Sequence, residues 1–148
     1  AGGAVTLAGA AQSFSGVYDG WIARFDTGGV LAWATMIGGA GDDDVNAIAI
    51  VGDDLIVAGT FEGTVTLGSA TLVPAGGTHI FVAAITRADG SIRWARRFGG
   101  AGTDVARSAA FVNGRFYVAG VAEAPIDFGG GSLGTTGTNL YVLELAPP

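Results

Sequence analysis

Gly38-Gly-Ala-Gly-Asp-Asp-Asp-Val-Asn46 is the stretch of this 148-residue chain whose residue types and spacing best suit chemistry. It fits the calcium-binding nonapeptide Gly-Gly-x-Gly-x-Asp-x-U-x, where U is apolar, with Asp43 at the ligand position and Val45 as the anchor. Asp42, Asp43 and Asp44 together make an oxygen-rich turn of the kind calcium needs for its roughly six to eight oxygen ligands. Calcium solenoids, however, require nonapeptides in tandem, each supplying half of a site. Here the motif returns once, 61 residues on, as Gly99 to Arg107, and Ala106 is a poor anchor. A glycine turn capped by Asp43 or Asp104 is the better account of both, and structural calcium at Asp42, Asp43 and Asp44 is the minor one.

His79 is the only histidine. Its counterparts in the repeats described below are Asp19 and Asn139, each just ahead of an aromatic strand. A position that accepts Asp, His and Asn reads as a turn or cap. Catalysis by His79 would need a nucleophile and an orienting acid, and no Gly-x-Ser-x-Gly or comparable nucleophile elbow is read here. The seven basic residues are all Arg, which leaves out a lysine-based mechanism. No phosphate-cradling loop, Cys/His zinc set or Asn-x-Ser/Thr acceptor is present. The expectation is a protein without catalytic residues and without a bound organic cofactor.

Composition narrows the class. Apolar residues make up 49% and charged ones 14%, yet no apolar run approaches the roughly 18–20 residues of a membrane helix. The apolar residues come in short bursts separated by many of the 27 glycines, so the glycines read as turns. Without cysteine there is no disulfide framework, and the redox compartment stays open. No signal peptide is visible; Ala1 either follows a removed one or opens a trimmed chain. A net charge of −6 argues against nucleic acid and anionic membrane surfaces as partners.

The elements that must position these residues occur more than once. Trp33-Ala-Thr-Met-Ile-Gly-Gly-Ala-Gly-Asp-Asp returns as Trp94-Ala-Arg-Arg-Phe-Gly-Gly-Ala-Gly-Thr-Asp, and Val57-Ala58-Gly59 as Val118-Ala119-Gly120. A long fixed period means that one supersecondary unit has been stacked several times. The copies run over 1–63, 64–124 and, in part, 125–148. Strands are expected at Val5–Leu7, Trp21–Asp26, Val30–Ile37, Val45–Val51 and Leu55–Gly59, with a loose segment from Leu7 to Gly20. The second copy supplies Thr64–Leu67, Ile80–Thr86, Ile92–Phe98, Val105–Val112 and Arg115–Gly120, with Asn113-Gly114 as a type I′ hairpin turn. The third begins at Pro125–Phe128 and reaches Leu140–Leu145. No segment carries an apolar stripe at helical spacing, so the chain is all-β.

In Leu55-Ile-Val-Ala58 both alternating faces are apolar, which requires cover on both sides. Sheets sandwiched between their own copies are the geometry of a β-propeller, with blades of about four antiparallel strands. The Ala-rich Ala47 strand suits the crowded first position, followed by the Leu55, Phe81 and Trp94 strands. About two and a half copies fall short of the four blades or so that a ring needs, so the ring is incomplete in one chain.

These residues resemble a known family. Phe81-Val82-Ala83, Asp89-Gly90, Trp94-Ala95, Phe98-Gly99-Gly100 and Val118-Ala119-Gly120 are similar to the bacterial β-propeller repeat family sometimes abbreviated SBBP. The resemblance covers both full copies and part of the third. It implies an extracellular or cell-surface bacterial protein and carries over no catalytic residue.

Charge is unevenly shared. Asp19 to Gly63 holds eight carboxylates against Arg24, whereas His79 to Ala124 holds six Arg against three carboxylates. Opposite signs favour head-to-tail attraction within or between chains, and open edge strands favour self-association or a protein partner. The expected function is a non-enzymatic structural or interaction module. The alternative is a carbohydrate-binding propeller, in which each copy offers an aromatic and an Asp to a sugar. Asp53-Asp54 against Gly114-Arg115 breaks the equivalence that such a lectin needs, so it ranks second.

Overall fold

A computed structural model of the chain describes residues 4–7, 10–123, 125–134 and 136–146. The β-branched and aromatic bursts form strands separated by Gly and Asp turns, and no helix occurs among the described residues. A small hairpin, β1 (Ala4–Leu7) with β2 (Ala10–Ser13), precedes a two-stranded sheet of β3 (Gly20–Phe25) and β4 (Leu31–Ile37). β5 (Asp44–Val51) and β6 (Asp54–Phe61) follow. After them come a second small hairpin, β7 (Val65–Leu67) with β8 (Ala70–Leu72), and then β9 (His79–Thr86) and β10 (Ile92–Phe98). β11 (Asp104–Val112) and β12 (Arg115–Glu123) lead to a third small hairpin, β13 (Ile126–Asp127) with β14 (Ser132–Leu133), and to β15 (Thr138–Leu145).

Every paired strand is antiparallel to its neighbour. The largest sheet has the order β5-β6-β9-β10, so the Ala47, Leu55, Phe81 and Trp94 strands are neighbours in that order. One copy on, β11-β12-β15 form a three-stranded sheet; one copy back stand β3 and β4. The described strands do not close into a ring. The four-stranded sheet takes β5 and β6 from the copy before residue 64 and β9 and β10 from the copy after it.

Repetition extends to irregularities of the backbone. The ladder of β5 with β6 slips between Val45 and Ala47, and that of β11 with β12 slips between Ala106 and Ser108. Each slip sets one extra residue, Asn46 or Arg107, against the partner strand, which bends it and re-aims its side chains. Asn46 Nδ2 thereby donates across to the Ala106 carbonyl in the next sheet at 2.9 Å.

Two strand-length expectations are corrected. β2 lies inside the segment expected to be loose, and the short strands β8 and β14 were not expected at all. Strands of two to four residues have too few positions for alternation to show, and they exist only because a hairpin partner and a neighbouring sheet hold them.

The core lies on both faces of the four-stranded sheet. On β9, Phe81, Ala83 and Ile85 face a cluster shared with Ile22, Trp33 and Ile37 of the preceding sheet. Ile80, Val82 and Ala84 face the opposite cluster, shared with Ala106, Phe116 and Val118. All six β9 side chains are fully buried, because alternate residues of a strand enter opposite faces. Phe81→Ala at this centre is expected to cost about 3–5 kcal/mol. The small hairpins wall the clusters, Val65, Leu67 and Leu72 on one side and Ile126 with Phe128 on the other.

Candidate functional site

Both Gly-Gly turns carry the chain from the last strand of one sheet into the first strand of the next, β4 into β5 and β10 into β11. Close approach dictates their composition. A Cβ on Gly38 would collide with the Asp19 carboxylate, and one on Gly99 with the His79 ring. A Cβ on Gly39 or Gly100 would strike the backbone carbonyl of Thr64 or Pro125, so neither position can carry a side chain.

Buried carboxylates hold these turns. Asp43 Oδ2 accepts from the Gly39 N–H at 2.6 Å and Oδ1 from the Glu62 N–H at 3.2 Å. Asp104 repeats this, with Oδ2 on the Gly100 N–H at 2.7 Å and Oδ1 on the Glu123 N–H at 3.1 Å. The backbone N–H of Asp43 donates to the Tyr18 carbonyl, and that of Asp104 to the Thr78 carbonyl, both at 2.8 Å. Each Asp thus ties together three segments: the glycine turn, the far end of β6 or β12, and the loop that enters β3 or β9. Buried polar groups must be satisfied in this way, or they cost more than they contribute.

Asp19 and His79 fill one place in successive copies. Asp19 Oδ2 accepts from the Ser15 N–H at 2.5 Å, and His79 Nε2 accepts from the Ala75 N–H at 2.8 Å, each four residues back. With Nε2 an acceptor, the ring proton belongs on Nδ1, which faces Asp104 Oδ2 at 3.8 Å. Burial, and then the positive charge of Arg97, push the imidazole below its ordinary range, with Asp104 partly opposing. Asp43 moves the other way. Burial raises its carboxyl first, Asp19 and Asp42 add to the rise, and the Gly39 and Glu62 N–H groups pull it back. Asn139, in the third copy, is exposed and donates to the Gly137 carbonyl at 3.2 Å.

The three residues weighed for calcium point apart. Asp43 is buried with both oxygens on backbone N–H groups, whereas Asp42 and Asp44 are exposed. Among the described residues no three His, Cys, Asp or Glu side chains converge in a way that could hold a metal ion.

One motif was passed over in the sequence. Gly130-Gly-Ser-Leu-Gly134 carries the letters of a nucleophile elbow, Gly-x-Ser-x-Gly. The structure puts Ser132 on the exposed two-residue strand β14, and the next element among the described residues is strand β15, so an elbow's strained strand-to-helix turn is not formed there.

Recurring aromatics divide by place. Trp33 is buried and its Nε1 donates to the Arg87 carbonyl at 3.0 Å, seating the turn between β9 and β10 on the preceding sheet. Its counterpart Trp94 has a buried Nε1 with no acceptor among the described residues, and the Arg96 guanidinium lies 5.8 Å from its ring centroid. Phe81 is fully buried; Tyr141, half-buried, donates to the Val105 carbonyl at 3.2 Å. Trp21, of the same register, is 43% exposed. Asp54 pairs with Arg93 at 2.7 Å, while Arg115 pairs with Glu144, so the polar groups beside these strands differ between copies.

No protein-family model matches this chain, and no curated protein matches it.

Proposed function

We propose that the chain is a non-enzymatic structural and interaction module whose copies of about 60 residues stack as propeller-type blades of four antiparallel strands. One observation carries this reading. The side chains best suited to chemistry, Asp43, Asp104 and His79, are buried and directed at the turns that join successive sheets. Likeness to the bacterial propeller-repeat family supports placing the module in a secreted or surface protein, where partners are proteins and no nucleic acid or membrane insertion is involved.

Carbohydrate binding is the second reading, favoured by the exposed Trp21 and Phe25. It ranks lower because neither the aromatic exposure nor the polar neighbours repeat from copy to copy. Two measurements test the proposal. Hydrogen exchange is expected to show β6 and β9 as the most protected strands, with both flanking sheets opening first. A glycan array is expected to show no binding that simple sugars compete away. Saturable, sugar-competed binding transfers the chain to the lectin reading.

A further inference from the structure

The two outermost sheet faces are the two halves of the joint that the chain builds internally. Within the chain, Ile80 and Val82 on one face of the four-stranded sheet are fully buried against the next sheet. Sixty residues on, Leu140 and Val142 hold the same places on β15 and are 87% and 74% exposed. At the other end, β9 turns Phe81 and Ile85 back onto the preceding sheet, both fully buried. Their counterparts on β3, Trp21 and Phe25, are 43% and 48% exposed. Large apolar side chains clustered in this way on otherwise alternating strands mark an interaction surface.

We propose that these two faces dock on each other between chains, so that β15 of one copy receives β3 of a second copy, head to tail. The proposal rests on the stacked-module reading above. It commits to a second copy because the contact would continue an interface already present twice inside the chain. The entering face, β3 with β4, has only two strands, and Trp21 and Phe25 make it bulkier than Phe81 and Ile85 would.

Polar groups agree with this pairing. Asn46 reaches across the internal joint to the Ala106 carbonyl. Its counterpart Arg107 is exposed beside the Leu140 and Val142 face, a cation at the place from which that reach is made. β3 is flanked by Asp19 and Asp26, and the N-terminal half of the chain is the acidic one. Such a contact is heterologous: it closes into a ring if the rotation between copies allows, and otherwise extends as a filament.

The test uses the whole chain and two double variants, Leu140→Glu with Val142→Glu and Trp21→Glu with Phe25→Glu. Light scattering of the wild type is expected to show a mass that rises with concentration. Each variant alone is expected to lose self-association at least about tenfold in Kd. An equimolar mixture of the two, each with one intact face, is expected to form a one-to-one pair and nothing larger. A wild type that stays monomeric at its solubility limit, or variants that assemble as it does, would overturn the proposal.

All four positions are exposed, and far-ultraviolet dichroism checks that the variants fold. Should either unfold, Val142→Cys and Trp21→Cys chains, with no other cysteine in the sequence, are mixed under mild oxidation. A mixed disulfide supports the contact, and its absence between folded chains sinks it. A monomer whose β9 amides remain protected leaves the stacked module standing while removing the docking. Sugar-competed binding removes the module reading whatever the mass.

Discussion

His79 Nδ1 stands 3.8 Å from Asp104 Oδ2, both side chains fully buried, at the place where the preceding copy sets Asp19 beside Asp43. One joint therefore opposes an imidazole to a carboxylate, while its equivalent opposes two carboxylates. The backbone partners are the same, so the two joints differ mainly in how protons load them.

For His79 the folded state holds the imidazole below its ordinary value of 6.5. The unfolded chain then binds more protons in the window below 6.5, so stability is present above that pH and is lost as pH falls through it. His79→Asn, which installs the third copy's residue, is expected to flatten this slope. Melting temperatures of both proteins between about pH 5 and pH 8 check it, and parallel curves would refute it.

Asp43 carries the opposite sign. Its folded carboxyl lies above 3.8, so its contribution is fully present below 3.8 and is lost as pH rises through the raised value. Removing the neighbouring charge with Asp19→Asn is expected to raise the melting temperature at neutral pH, because the amide oxygen still accepts from the Ser15 N–H. A lower melting temperature would show that the carboxylate pair is not in repulsion.

Asp104→Asn replaces one accepting oxygen with an amide donor that faces a backbone N–H. The loss is expected to be about 1–3 kcal/mol, read from urea unfolding midpoints. Asp43→Asn likewise loses one of its two hydrogen bonds but also relieves a crowded negative charge, so its cost is expected to be smaller.

Trp33→Phe removes the indole donor from the Arg87 carbonyl and is expected to destabilise by about 1 kcal/mol more than Trp94→Phe. In Trp94 the buried N–H has no acceptor among the described residues, and its removal leaves nothing unpaired. Equal costs for the two would mean that the hydrogen bond is not what holds the turn.

Calcium is expected to leave the melting temperature unchanged, since Asp43 is committed to backbone N–H groups and Asp42 and Asp44 face solvent. A folded-state site at a hundred times its Kd would add about 2.7 kcal/mol, a shift of several degrees that chelator would reverse. Such a shift would restore the calcium reading of this turn.

Much of the architecture was legible because repetition is a strong signal. Stacked units meet the same neighbours, so Trp33 and Trp94, or Gly38 and Gly99, were written twice at one spacing. The Asn113-Gly114 turn was equally plain, and its φ values of 51° and 78° are those that few other residue pairs tolerate. The strands of the small hairpins were not legible, since Ala70–Leu72 is too short to alternate. The role of Asp43 was half legible. Its place after a glycine turn suggested a cap, but its second partner, the Glu62 N–H, lies 19 residues along and emerges only once β6 has folded back. Ser132 shows the converse, a motif whose letters are present without the backbone that gives them meaning.

The sheet built from β5, β6, β9 and β10 crosses the border between two copies of the sequence. A border drawn at residue 63 thus falls inside one folded sheet, between β6 and β9. Severing the chain between residues 63 and 64 would unzip β6 from β9 instead of parting two finished pieces, and each fragment would expose half of one interior. Conversely, inserting or deleting a whole copy at that border leaves every interior sheet with its full complement of strands.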